Sequence, residues 1–306
     1  MFNKNKRTMN NIKNQFSIKD LENISGIKAH TIRIWEKRYN ILEPMRTDSN
    51  IRYYDTENLQ KLLNITLLHN YGYKISRIAK IQETEIPKIV NQIITEKSKK
   101  NHAINDFKLS MMNFDQQLFL QTYQNLLSNK SFKEVFFEIF ILLLEEIGYL
   151  WQSNTITPAH EHFISYLIKQ KLLVETEKLQ IVNALPDSKV YILFLPENEI
   201  HELGLMFINY ELLSKGYRTI YLGESIPVEN LKEMKKYYDE IVFISHFTIQ
   251  PQRDQLDSYV EEIRTNILDT NTSFWIFGRL AAHIDLENDT NYIKIFESLK
   301  DLTENV

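Results

Sequence analysis

The last third of the chain alternates short apolar runs with helical stretches, and that alternation restricts the fold more than any other feature of the sequence. The runs Val190 to Leu195, Thr219 to Leu222, Ile241 to Ser245 and Phe274 to Phe277 are separated by the stretches Leu203 to Lys215, Val228 to Tyr238 and Gln252 to Leu268, which read as helices. A further short strand is expected at Tyr292 to Phe296. Strands that alternate with helices build a parallel, doubly wound sheet. Ligands of such sheets bind beyond the carboxyl ends of the strands, where His201, Gly204, Gly223, Ser245 and Gly278 all fall. The chain has only seven glycines, so three near one edge point to a place where backbone must approach something closely.

The loop after the first run carries the sharpest candidate. Glu199-Ile200-His201-Glu202-Leu203-Gly204 sets a ligand-capable imidazole just past a strand, with a carboxylate two residues before it and a glycine three after. The carboxylate is placed to fix the imidazole tautomer, and the glycine admits a large planar ligand. A histidine met alone is more often a surface or internally satisfied residue. Its position between strand and helix at the ligand edge is what singles out His201.

From roughly Asn105 to Asn183 the pattern is helical. Phe107, Met111, Phe114, Leu118, Tyr123, Phe132, Phe136, Phe140, Leu144, Ile147 and Leu150 recur mostly at three or four residues, as packed helices require. Thr157-Pro158 reads as an N-cap followed by proline at the first helical position. We expect a four-helix bundle in which Trp151 closes one helix and Glu161 and His162 lie in the early turns of the next. His160 reads as solvated.

The net charge of -4 hides a split between the ends of the chain. Residues 1–80 hold 15 lysines and arginines against 7 acidic residues, a surplus of 8, which leaves 21 against 33, a deficit of 12, for the rest. A basic end suits a polyanion. Within it, Ser17 is an N-cap before Ile18, Ser25-Gly26 forms a turn, and Ala29 to Tyr39 is a second helix, which is helix-turn-helix spacing. Lys28, His30, Arg33, Lys37 and Arg38 lie on or beside that helix, where they can reach phosphates and base edges of a major groove. Ile32 and Trp35 belong to the core. After Pro44 a polar loop with Arg46, Arg52, Tyr53 and Tyr54 forms a wing beside the recognition helix.

Cysteine is absent, which excludes disulfides and thiolate metal sites and fits a reducing cytoplasm. The most apolar run, Val135 to Trp151, is interrupted by Glu138, Glu145 and Glu146, so it is a buried helix and no membrane span is expected. No secretory or transit signal is evident at the N-terminus. The expected organisation is a flexible basic N-terminus (1–15), a winged-helix domain (16–85), a linker (86–104), the four-helix bundle (105–185) and a Rossmann-like domain (186–306).

The segment Thr31-Ile32-Arg33-Ile34-Trp35-Glu36-Lys37-Arg38-Tyr39, followed by Pro44-x-Arg46-Thr47 and Arg52-Tyr53-Tyr54, closely resembles the winged-helix DNA-binding domain of the MerR family. That resemblance implies a dimer on a pseudo-palindromic promoter or operator site in double-stranded DNA, with the wing gripping phosphates. Glu199-x-His201-x-x-Gly204, Gly216 to Gly223 and the preceding bundle look like the cobalamin-binding module of corrinoid proteins. There the histidine displaces the cofactor's dimethylbenzimidazole and binds cobalt from below, while the nucleotide tail enters a slot lined by the sheet. Trp151, nine residues, then Glu161-His162 resembles the capping element of CarH-like photoreceptors, in which the bundle covers the adenosyl group.

The resemblance therefore implies a cytoplasmic, light-sensing transcriptional repressor, not an enzyme, that uses adenosylcobalamin to control oligomerisation, as dimer or tetramer, and operator binding. Its cofactor residues would be Trp151, Glu161, His162, Glu199, His201, Gly204, Ser245 and Gly278. His201 would be the lower cobalt ligand and His162 the upper ligand after photolysis. Two departures stand out: Gly278 is followed by Arg279 where a second glycine is common, and Ser245-His246-Phe247-Thr248 carries two rings where smaller residues are usual. They keep open a MerR-type regulator whose corrinoid-like domain has lost cobalamin and answers a protein partner or another ligand. A corrinoid subunit of a methyltransferase or mutase would explain the C-terminal third but leaves the basic winged helix without purpose.

Overall fold

The structure, a computed structural model, describes residues 15–47, 49–70, 72–82, 85–86, 89, 96–153, 155–180, 189–284 and 292–306. The expected flexible N-terminus, apart from residue 15, and part of the expected linker lie outside the described residues. Two compact units divide the chain, Met1–Ile168 and Lys169–Val306.

The first unit begins with the helix-turn-helix. Helix α1 (Ile18–Ser25) opens with a capping box, in which Asp20 N–H donates to Ser17 Oγ at 3.1 Å and Ser17 N–H to Asp20 Oδ2 at 2.8 Å. It stops at Gly26, whose φ of 76° suits a residue without Cβ. The turn leads into α2 (Ala29–Tyr39). A short antiparallel wing follows, β1 (Met45–Arg46) and β2 (Arg52–Tyr53), and then α3 (Thr56–Asn70) and α4 (Ile75–Ile78). Phe16, Leu21, Ile32, Trp35, Tyr54, Leu59 and Leu62 form its core.

Four helical segments complete the bundle: α5 (Glu96–Asn113), α6 (Gln116–Leu127), a third made of α7 (Phe132–Val135), a π-helical turn (Phe136–Phe140) and α8 (Ile141–Gln152), and α9 (Pro158–Leu179). Helix α5 starts at Glu96, so the second half of the expected linker is helical. No glycine or proline interrupts this stretch, and Ala103 and Ile104 are buried on it. Phe140 is the aromatic hub, in ring contact with Phe107, Phe119, Tyr123 and Phe136. The winged helix is tied to this bundle. Lys108 Nζ, almost fully buried, donates to the Ile24 carbonyl at 3.1 Å and pairs with Glu146 at 2.7 Å, while Asn23 Nδ2 donates to Thr155 Oγ1 at 2.8 Å.

The second unit is a five-stranded, wholly parallel sheet: β3 (Lys189–Phe194), β4 (Arg218–Gly223), β5 (Glu240–His246), β6 (Thr272–Phe277) and β7 (Ile293–Ile295) in the order β4-β3-β5-β6-β7. Helices α10 (Leu203–Ser214), α11 (Val228–Met234), α12 (Leu256–Asn266) and α13 (Leu299–Asn305) connect or flank the strands. Val190, Ile192, Phe194, Phe243 and Phe274 belong to one core, and Tyr191, Leu193, Val242, Ile244 and Trp275 to the other. Both faces are covered, which is why the strands read as unbroken apolar runs. The chain leaves β3 toward β4 and then crosses to β5 on the opposite side, so the topological switch, where α/β sheets hold ligands, lies between the ends of β3 and β5. The sequence places α11 and α12 too generously: α11 stops at Met234 and α12 starts only at Leu256, after a loop containing Pro251.

Among the described residues no helix is long and apolar enough to cross a membrane. The aromatic hub sets a stability expectation. Phe140→Ala removes a fully buried ring and should cost about 3–5 kcal/mol, read as an earlier unfolding transition in thermal or denaturant melts of the full chain. An unchanged transition would show that the hub is not where the bundle's packing energy resides.

Candidate functional site

At the switch point the loop after β3 is organised around one carboxylate. Glu199 has no exposed surface. Its Oε1 accepts from Ile200 N–H and His201 N–H at 3.0 Å each and from His201 Nδ1 at 2.6 Å. Its Oε2 accepts from the N–H groups of Thr248, Ile249 and Gln250 at 3.1, 2.7 and 2.9 Å. Burial alone would raise this carboxyl, but the hydrogen bonds from His201, Ile249 and Gln250 outweigh it and hold Glu199 well below the usual carboxylate range. It is therefore an anion, able only to accept, and Nδ1 of His201 must carry the hydrogen. In the neutral ring the lone pair is then on Nε2, the nitrogen able to serve as a ligand on this half-exposed side chain. Among the described residues no three histidine, aspartate or glutamate side chains converge.

Beside His201 runs a slot with two bare walls. Gly204 opens α10 and Gly278 follows β6 with φ 110°, a backbone conformation open only to glycine. The ring of His246, the last residue of β5, lies between them. A Cβ at Gly204 would sit 3.0 Å from His246 Cε1, and one at Gly278 would sit 2.6 Å from His246 Cδ2 and 2.5 Å from the Phe247 carbonyl oxygen. His246 stacks on Phe277 with centroids 4.5 Å apart and planes 8° apart. Its Nδ1 donates to the His201 carbonyl at 3.0 Å, and Nε2 is 3.3 Å from Thr248 Oγ1. Burial, partly offset by the bond to His201, pushes this imidazole down to about 4, so it is neutral at pH 7.

The other sequence candidates fall out differently. Ser245 is fully buried, and its Oγ donates to the Phe194 carbonyl at 2.9 Å, tying β5 to β3. Arg279, which stands where a second glycine is common, is exposed and donates from its guanidinium to the Thr248 carbonyl at 3.4 Å. The ring in the slot belongs to His246, which sequence reasoning met only as a bulky residue. Its signal was its place in sequence, at the end of an apolar run between Ser245 and Phe247. The three backbone donors from Thr248 to Gln250 had no side-chain signature at all.

In the first unit, Trp151 lies in the last turn of α8 and is 55% exposed, large for an indole. Glu161 and His162, in the first turns of α9, are 3.3 Å apart, and Glu161 also accepts from Ser165 Oγ at 2.7 Å. His160 is buried rather than solvated: its Nδ1 lies 2.8 Å from Thr157 Oγ1 and 3.2 Å from Thr157 N–H, and its ring packs on Phe114. It closes the start of α9 from inside.

On the winged helix, Lys28, His30, Arg33, Arg38, Arg46 and Arg52 are exposed and Tyr53 is half-buried. Glu36 shapes the base of the wing, accepting from the buried Tyr54 hydroxyl at 2.8 Å and pairing with Arg52 at 3.2 Å. Arg46 is held over the wing tip by Asn50, and Lys28 lies 3.4 Å from Glu22. Exposed pairs of this kind are worth at most about 1 kcal/mol, so a phosphate can displace them.

Comparison with known proteins matches residues 16–85 to the MerR HTH family regulatory protein and residues 103–174 to the B12 binding domain. The chain is 27% identical over 222 residues to the HTH-type transcriptional repressor CarH of Myxococcus xanthus, covering 68% of this chain and 70% of that one. It is 26% identical over 223 residues to the HTH-type transcriptional repressor CarA of the same organism, covering 70% of each. In fold it is similar to the monomethylamine corrinoid protein of Methanosarcina barkeri, with a TM-score of 0.54 at 11% identity over 69% of this chain and 98% of that one.

The Glu199 cluster sets a pH dependence. Its folded-state value lies below the ordinary 4.5, so the stability it contributes is fully present above about pH 4.5 and drains away as pH falls toward the lowered value. In acid melts, Glu199→Gln should start less stable at pH 7 and lose less between pH 5 and pH 3 than wild type. Parallel curves would contradict the assignment.

Proposed function

We infer, from a MerR-type helix-turn-helix joined in one chain to a B12-binding module, that this protein is a B12-dependent transcriptional regulator. The observation that carries the cofactor end is the Glu199–His201 pair, an imidazole oriented by a fully buried anion at the ligand edge of a parallel sheet. The DNA end rests on the exposed cations of α2 and the wing.

Adenosylcobalamin is the form we assign, and when bound it supplies a light-labile cobalt–carbon bond. His201 Nε2 would hold the cobalt, with Glu199 fixing the orientation of the ring through Nδ1. Gly204 and Gly278 provide bare walls beside it. Trp151, Glu161 and His162 would hold the adenosyl group, and His162 would supply a replacement ligand after its loss. Lys28, His30, Arg33 and Arg38 meet the major groove, and Arg46, Arg52 and Tyr53 the flanking backbone. The two ends are coupled by linkage. A cofactor that favours the assembled dimer or tetramer raises operator affinity through multivalency, and light, by cleaving off its adenosyl group, lowers that affinity. Couplings of this type span about 5–150-fold. The regulator acts in the cytoplasm and needs no enzymatic step.

A second reading draws on His246, whose ring fills the slot: the module would have given up corrinoids for another ligand. Footprinting on genomic fragments selected by the full chain separates the two. We expect protection that strengthens with adenosylcobalamin in darkness and fades after illumination. Protection indifferent to the cofactor would remove it from the switch. On the same fragments Arg33→Ala should weaken binding and, if Arg33 meets a phosphate, reduce the salt dependence by about one unit of slope. Unchanged affinity would move the DNA face off α2.

A further inference from the structure

The slot beside His201 has the shape of a site for a flat heteroaromatic ring, and the chain supplies that ring itself. Two glycines face it from either side, Phe277 forms its floor, and each nitrogen of the imidazole has a polar group in reach. The walls are bare for a reason: a Cβ on either glycine would press into the His246 ring. The backbone on both sides of the slot is pinned independently of that ring. Phe247 N–H donates to the Phe277 carbonyl at 2.9 Å and Leu280 N–H to the Phe247 carbonyl at 3.0 Å. The side chain of His246 can therefore rotate out without dismantling the strand ends.

This bears on the cofactor because a histidine that binds cobalt from below displaces the nucleotide tail, and the tail must then be housed beside the sheet. The place beside His201 that Gly204 and Gly278 frame is filled by His246. Resting on the reading of the second unit as a corrinoid module, we propose that His246 is a plug in the tail slot and that this chain selects corrinoids by their tails. A corrinoid without a nucleotide tail binds with His246 in place. Cobalamin binds only after the ring has left Phe277 and given up its bond to the His201 carbonyl. The loop that carries the lower ligand thus changes its contacts when a tailed corrinoid enters and keeps them when a tail-less one does.

The full-length protein tests this by equilibrium dialysis in darkness, read at the corrin absorbance, with adenosylcobalamin and adenosylcobinamide as the two probes. Wild type should bind adenosylcobinamide at least as tightly as adenosylcobalamin. His246→Ala should tighten adenosylcobalamin by about tenfold, the scale of one hydrogen bond plus one ring stack, and leave adenosylcobinamide within about twofold. His246→Asn, which removes the ring but keeps a donor for the His201 carbonyl, should tighten adenosylcobalamin selectively by a smaller factor and guards against misfolding of the alanine variant. The plug is overturned if wild type already favours adenosylcobalamin about tenfold, or if both variants shift the two corrinoids in equal proportion, the behaviour of mere packing. Failure of both corrinoids to bind all three proteins overturns the plug together with the corrinoid reading, an outcome distinct from an unchanged ratio.

Discussion

Everything at the ligand edge of the sheet depends on burying the charge of Glu199. An isolated carboxylate taken out of water costs several kcal/mol, and this one is sustained by six donors, five of them backbone N–H groups. Those donors come from two loops that are far apart in sequence, one after β3 and one after β5. The anion therefore staples the topological switch shut and in the same act chooses the tautomer of His201. A buried polar cluster of this type is stabilising only when every member is satisfied, which binds the orientation of the ligand to the integrity of both loops. Whatever disturbs the loop after β5 reaches His201 through Glu199.

A comparable economy appears in the first unit, where the DNA-binding head is not on a loose tether. Lys108 reaches from α5 to the carbonyl end of α1, the helix before the recognition helix, while Glu146 on α8 neutralises its buried charge. Asn23 meets Thr155, in the turn that follows Trp151 and precedes α9. The same bundle contains a π-helical turn at Phe136–Phe140, a geometry associated with functional sites because it trades regular hydrogen bonding for a shifted side-chain register. Here that register lets Phe140 gather four rings. Changes in the turn between α8 and α9 thus have a short polar route to the helix-turn-helix.

Much of this architecture was legible in the sequence because it is written in period. Alternation of apolar runs with helical stretches gave the parallel sheet, and the four principal strands lie within two residues of expectation. Spacing of three and four gave the bundle, and Ser17 with Gly26 marked both ends of α1. The site was only half readable. Glu199, His201 and Gly204 announce themselves because they are neighbours in the chain. His246 reaches them from about forty-five residues away through the crossover, and its role depends on two glycines that no local pattern joins. Arg279 attracted suspicion by charge and size, yet a long flexible side chain at an exposed position simply turns away. His160 read as solvated because it lies in a polar helix start, whereas its Nδ1 completes the cap of that helix.

The proposed corrin site turns on one oriented imidazole, that of His201. The decisive measurement is the absorption spectrum of the full chain after gel filtration with adenosylcobalamin in darkness, recorded before and after illumination and repeated on His201→Ala. Retained corrin absorbance with a histidine-ligated spectrum, a light-induced change, and loss of that ligation in the variant are the results predicted. A wild-type protein that elutes without corrin, or a His201→Ala spectrum identical to wild type, would contradict it.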